Sequence, residues 1–234
     1  MKKIMWAVSC FALIGTAFVL QYMPERVPMH YDMAGNIDRW GSRYESLIFP
    51  GIILLLALFW QLFIAYFEKK AERSADEKEA AEARSNVRVM TIAGLATTLM
   101  FTVMQGFMLF SACKEAVSGA EKQSIDVGKV FVILLGILFI VLGNYLTKTR
   151  ANRVIGVRIR WSLYNDRTWS RVNRFGAAAL MIAGILTVLL AMLIRNSFIA
   201  VMASLGLLLL ASVAMLIYAR RVYLQETAAE KGDE

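Results

Sequence analysis

Residues 175–218 read FGAAALMIAGILTVLLAMLIRNSFIAVMASLGLLLLASVAMLIY. Two charge-free apolar runs, 175–194 and 196–218, meet here at a tight turn around Arg195 and Asn196. Each run matches the roughly 20 residues that a helix needs to cross a hydrocarbon core of about 30 Å. Working back toward the N-terminus, four more such runs occupy 4–22, 47–67, 89–112 and 130–147, again without a charged side chain. Inside lipid every backbone N–H and C=O must be satisfied within the protein, so only helices and closed barrels span it. The runs are continuous and lack the period-two alternation of barrel strands. The sequence therefore predicts an all-α polytopic membrane protein with six transmembrane helices.

The basic residues orient the helices. With a cytoplasmic N-terminus, 19 of the 26 Lys and Arg residues fall on the cytoplasmic face: Lys2 and Lys3, six at 69–88, eight at 148–174 and three in the tail. Only seven, Arg26, Arg39, Arg43, Lys114, Lys122, Lys129 and Arg195, fall outside. The positive-inside rule thus predicts cytoplasmic N- and C-termini. These orientation signals and attraction to anionic inner-leaflet lipid account for most of the +8 net charge, which points to membrane lipids as partners and away from nucleic acid. A hydrophobic content of 58% is likewise suited to lipid rather than water. Lys2 and Lys3 before an apolar run resemble the start of a secretory signal, but no small-residue cleavage pattern precedes Pro24, so a retained helix is expected. Cys10 and Cys113 define neither a disulfide framework nor a metal site and are expected as packing residues.

A single membrane domain over 1–234 is expected, with distinct connecting loops. Within 1–67, the outer loop 23–46 carries Pro24, Pro28 and the turn Ala34, Gly35, Asn36 between short extended runs at 27–31 and 37–40, predicting a small extracellular hairpin. Pro50 suits the first turn of the second helix, where its missing N–H costs little. The 68–88 connection is rich in Ala, Glu, Lys and Arg and predicts a cytoplasmic helical extension, with Lys69–Glu72, Arg73–Glu77 and Lys78–Glu82 spaced to pair along helix faces. The second outer loop, 113–129, is short, mixed in charge and carries no readable signal. The second inner connection differs from the first: it interleaves cations with Trp161, Tyr164, Trp169 and several aliphatic residues, more apolar surface than a solvated loop needs.

Two stretches carry a resemblance. MPERVPMHYDMAGNIDRWGS at 23–42 resembles the bacterial membrane domain of unknown function that precedes the SdpI module, and GNYLTKTRANRVIGVRIRWSLYNDRTWSRVNRFG at 143–176 resembles the SdpI signature itself. The SdpI-like module is expected over 130–218, with 143–176 as its inner motif loop. The outer positions carried over are Pro24, Pro28, His30, Asp32, Gly35, Asn36, Asp38, Trp40 and Gly41. The inner ones are Gly143, Asn144, Tyr145, Arg150, Asn152, Gly156, Arg158, Trp161, Ser162, Leu163, Asn165, Trp169, Arg174 and Phe175, with Tyr164 beside them. The sequence departs from the family pattern at Thr147, Ala151 and Arg160, where Pro is expected, and at Asn173, where His is expected. Without those prolines the helix around Asn144 can run further. The resemblance implies a protein of the bacterial cytoplasmic membrane that gives immunity to a secreted antimicrobial peptide. It also implies relay of the toxin's presence to a cytoplasmic regulator.

Chemistry read from residue types gives alternatives. His30, the single histidine, is the one side chain able to change charge near neutral pH unaided, and it is either an acid/base group or a polar loop residue. Asp32, Asn36 and Asp38 surround a glycine turn but lack the terminal bidentate Glu of a calcium loop, so a turn held by Asx hydrogen bonds is expected and no metal or cofactor. Glu25, Asp32, Asp38 and Glu45 are outward carboxylates. With His30 they would be the catalytic groups of an alternative reading, an outward-facing hydrolase acting on peptidoglycan, another cell-wall component or a peptide. The absence of an ionisable residue near any span centre disfavours ion-coupled transport. Gln21, Gln61, Gln105 and Asn144 are expected to join helices. Arg150, Arg153, Arg158 and Arg160 with Trp161 suit lipid phosphates or an acidic partner protein.

Overall fold

A computed structural model describes residues 1–146 and 156–232. Thr147, Arg150, Ala151, Asn152 and Arg153 therefore lie outside the described residues, and with them the expected run-on of the fourth helix. Six α-helices form among the described residues: α1 (Lys2–Leu20), α2 (Ile48–Arg73), α3 (Glu77–Ser118), α4 (Val127–Leu146), α5 (Asp166–Leu193) and α6 (Ser197–Gly232). All six are long and apolar enough to cross a membrane. Phe11, Ile14, Leu55, Leu62, Leu209 and Leu210 are exposed on the bundle surface, whereas Ser9, Thr16, Thr98 and Ser204 are buried within it. That inversion suits lipid, in which small and weakly polar residues mediate helix contacts and large aliphatic ones face the tails. Cys10 corrects the expectation of two packing cysteines: it is exposed on α1, while Cys113 packs beneath the outer loop.

The helix ends are decided by caps as much as by hydropathy. Helices α2 and α3 both extend past their apolar runs, as expected for 68–88, and turn at Ser74–Asp76, where the Asp76 carboxylate accepts the Lys78 N–H at 2.8 Å. The three in-helix charge pairs do not form. The turn separates Arg73 from Glu77, and Lys70 reaches across the helical hairpin to Glu79 at 3.1 Å. Helix α5 begins at Asp166, well before the apolar run at 175, because Asn165 and Thr168 build a reciprocal capping box. Helix α6 likewise continues to Gly232.

Helices α1 to α3 pack together, α4 to α6 pack together, and α3 with α4 forms the main join. Within the first group Gln105 donates to Thr16 Oγ1 at 3.1 Å and to the Ser46 carbonyl at 3.2 Å, and Gln61 donates to the Lys2 carbonyl at 3.0 Å. Both glutamines join helices as expected; Gln21, exposed at the end of α1, does not. In the second group α4 and α5 approach backbone to backbone. A Cβ on Gly136 would lie 2.7 Å from the Gly184 carbonyl oxygen, and one on Gly184 would lie 2.6 Å from that of Gly136. One heptad along, Gly143 sits equally close to Ala177.

The expected hairpin is present as β1 (Arg26–Tyr31) and β2 (Ile37–Ser42), antiparallel. It stands at the end of the bundle opposite the start of α1 and the end of α6. Pro50 lies in the first turn of α2, behind a 3-10 turn at Arg43–Leu47.

Candidate functional site

The outer hairpin is built around one turn. Asp32 accepts the N–H groups of Ala34 and Asn36 at 2.8 Å on one oxygen and the Asn36 amide at 2.7 Å on the other. Gly35, at φ 79°, supplies the left-handed step that the turn needs. These donors hold the Asp32 carboxyl below the usual carboxylate range, Asn36 contributing most. Both oxygens of Asp32 are thereby engaged in the Asx turn, as the residue spacing suggested. Among the described residues no group of three His, Cys, Asp or Glu side chains converges to hold a metal ion.

Pro28 is buried and pairs with the half-buried Trp40 across the strands. Beyond them the register slips twice, leaving Met29 on β1 and Asp38 on β2 without opposite partners. Bulges of this kind re-aim side chains. Here His30 Nδ1 lies 2.6 Å from Asp38 Oδ1, with the two side chains 65% and 45% exposed. The structure thus unites His30 with Asp38 but not with the other outer carboxylates. Asp32 serves its own turn, Glu45 receives Arg39 at 2.9 Å and the Ser42 N–H at 2.9 Å, and Glu25 is exposed at the hairpin's start. A pair so open to water lacks the exclusion of solvent that strengthens electrostatics in an enclosed catalytic site.

One residue that holds this hairpin in place carried no signal in the sequence. Glu115, near the outer end of α3, is fully buried. Its carboxylate accepts the Tyr31 hydroxyl at 2.7 Å, the Ser111 hydroxyl at 2.6 Å and the Ser124 N–H at 2.5 Å. The second outer loop then closes over the turn, with Gln123 N–H donating to the Gly35 carbonyl at 2.8 Å and Ile37 N–H to that of Glu121 at 2.9 Å. Burial, with Glu115 beside it, raises the Tyr31 phenol well above its ordinary value. The second outer loop, which has no readable signal of its own, therefore pairs with the hairpin at its turn.

The inner motif divides into two parts. Asn144 and Tyr145, on α4, line a groove against α3. Gly156 to Phe175 instead folds onto α5 and α6. Asn173 is buried, accepts the Val157 N–H at 2.8 Å and donates to the Trp169 carbonyl at 3.1 Å. Gly156, at φ 118°, packs so closely that a Cβ would fall 2.5 Å from Asn173 Oδ1 and 2.7 Å from the Trp169 ring. The buried Ser162 hydroxyl donates to the Ile159 carbonyl at 2.9 Å, and Trp161 packs on the Val172, Ala219 and Val222 cluster. Asn165 caps α5, and Phe175 stacks on Tyr218 with ring centroids 4.2 Å apart.

The extended α6 completes this part. Tyr164 donates to Glu230, which raises its phenol above the ordinary value, and its ring meets Tyr223 edge-on. Glu226, nearly buried, receives Arg171 at 3.1 Å and Arg167 at 3.3 Å. Arg158, Arg160 and Arg174 remain exposed and make no ion pair among the described residues. Asn173 pins the Val157 backbone to α5.

Comparison with known proteins follows this division. Residues 148–219 match the SdpI/YfhL protein family, and residues 7–54, spanning α1, the hairpin and the start of α2, match a domain of unknown function, DUF1648. A curated relative, the immunity protein SdpI of Bacillus subtilis (strain 168), is 22% identical over 204 residues, 87% of each chain. No solved structure matches. The outer hairpin and most of the inner motif thus lie in two matched regions of one six-helix chain, a segment similar to DUF1648 ahead of a segment similar to the SdpI/YfhL protein family.

Proposed function

We propose that this multi-pass membrane protein resides in a bacterial cytoplasmic membrane and gives immunity to a secreted antimicrobial peptide, which it engages at the outer hairpin. Toxin binding is then signalled through the helices to the inner motif and a cytoplasmic regulator. The likeness to an immunity protein along 87% of the chain supports the class of function. The observation that carries the location is the clamping of the hairpin by Glu115. A loop pinned by a buried carboxylate and a neighbouring loop is pre-organised for recognition, which lowers the ordering cost of binding. Its free surface offers the His30–Asp38 pair, Arg39, and the exposed Met33 and Tyr44, a mixture suited to an amphipathic peptide.

The hydrolase reading rests on the His30–Asp38 contact and makes a different prediction. Expression in a sensitive host should raise survival under toxin, and purified protein should bind toxin while leaving cell-wall fragments uncut. Cleavage of fragments or toxin that disappears in Asp38→Asn would replace the binding reading with the enzymatic one. Failure to protect against any tested membrane-active peptide would remove the immunity proposal.

A further inference from the structure

A groove of about 810 Å³ runs along the join between α3 and α4. Ile92, Leu99 and Val103 line one wall, Ile137 and Val141 the other, and Asn144 and Tyr145 close one end. Two geometric facts say what fits it. From Ile92 to Val103 a helix rises about 16 Å, half of a hydrocarbon core of about 30 Å, so the groove is one leaflet deep. Its stripe on α3 continues at i, i+4 spacing below Ile92 to Arg88 and Arg84, both exposed and without an ion pair among the described residues.

An apolar slot one leaflet long, polar at one end and followed by two unpaired guanidinium groups, is complementary to one molecule. We propose that it binds an anionic phospholipid of the cytoplasmic leaflet. An acyl chain lies between α3 and α4, and the phosphate lies at Arg88 and Arg84. Guanidinium engages phosphate through paired N–H donors, and the chain fills the space that the groove leaves between α3 and α4. The lipid would then bridge the two three-helix groups at their main join.

The test reconstitutes the full chain in vesicles of equal phosphatidylglycerol and phosphatidylcholine, with a trace of either lipid carrying a diazirine at its acyl terminus. Labelled phosphatidylglycerol should cross-link to residues 92–103 and 134–145 in preference to the outward face of α6 at 205–217. Labelled phosphatidylcholine should show no such preference. Arg88→Gln should lower phosphatidylglycerol retained on the purified protein about fivefold, since a basic residue near the surface is worth about 1 kcal/mol. Arg221→Gln, an exposed cation on α6 that does not line the groove, should leave retention unchanged.

Equal labelling by the two lipids, uniform labelling over α6, or an Arg221 effect equal to that of Arg88 would reduce the site to ordinary lipid solvation and overturn the proposal. A disulfide between Leu99→Cys residues of two copies, formed in a chain lacking Cys10 and Cys113, would overturn it in favour of a second copy as occupant. The cross-linking pattern is read on the unaltered chain, so the outcome does not depend on a variant folding.

Discussion

Among the described residues Glu115 has no cation partner, yet its burial is tolerated because three donors converge on it. Removing the acceptor strands those donors. Glu115→Ala is therefore expected to destabilise the protein by about 3 kcal/mol and Tyr31→Phe by about 1.5 kcal/mol, with Glu115→Gln between them. Thermal unfolding in detergent measures the loss, and proteolytic nicking at 26–42 should rise in the same order. The two shifted hairpin groups bound the pH range over which the hairpin stays seated. The Tyr31 phenol is raised, so its contribution is complete below the unfolded value of about 10 and is lost as pH climbs toward the folded value. The Asp32 carboxyl is lowered, so its contribution is present above about pH 4 and is lost as pH falls through its folded value. Amide exchange at Ala34 and Asn36 should accelerate on acidification before exchange at Gln123 changes. Simultaneous acceleration would show that the turn has no separate titration.

At the scale of elements, the α4–α5 pair depends on glycines chosen by backbone approach rather than by chain flexibility. Gly136→Leu or Gly184→Leu must push a side chain into the opposite carbonyl, and a loss of about 2–3 kcal/mol is expected from overpacking. Gly206→Ala, on α6 with open space around its missing Cβ, is expected to be neutral or to stabilise by up to about 1 kcal/mol. Melting temperatures of the three variants decide this, and equal effects would remove close approach as the reason. The inner motif has its own pin. Asn173→Ala leaves the Val157 N–H without its acceptor and opens space beside the close-packed Gly156, at an expected cost of about 2 kcal/mol. Cysteine-accessibility labelling at 158–163 should increase in that variant while labelling on the outer hairpin stays constant.

At the scale of the whole molecule, the proposed reading requires the hairpin and the inner motif on opposite sides of the bilayer. In a chain lacking Cys10 and Cys113, Met33→Cys should react with an impermeant thiol reagent on intact cells, whereas Arg160→Cys should react only after lysis. Both positions are exposed, so accessibility alone does not distinguish them. The reverse pattern would invert the molecule and place the hairpin in the cytoplasm. An immunity role would then need a different contact surface.

The spans, their number and the hairpin were legible in the sequence because each depends on local properties: runs of apolar residues, and a Gly-Asn turn between extended runs. The density of basic residues supplied a sidedness by the same local reading. The partners of Glu115 were not legible, since Tyr31 lies 84 residues away and a glutamate just past the end of an apolar run has no pattern that announces burial. The same holds for Asn173, for the interlocked glycines of α4 and α5, and for the groove between α3 and α4. Apolar helices report that lipid is their solvent, but lipid does not dictate which helix faces are neighbours. Close packing and scarce polar contacts decide that, and both exist only once the chain is assembled.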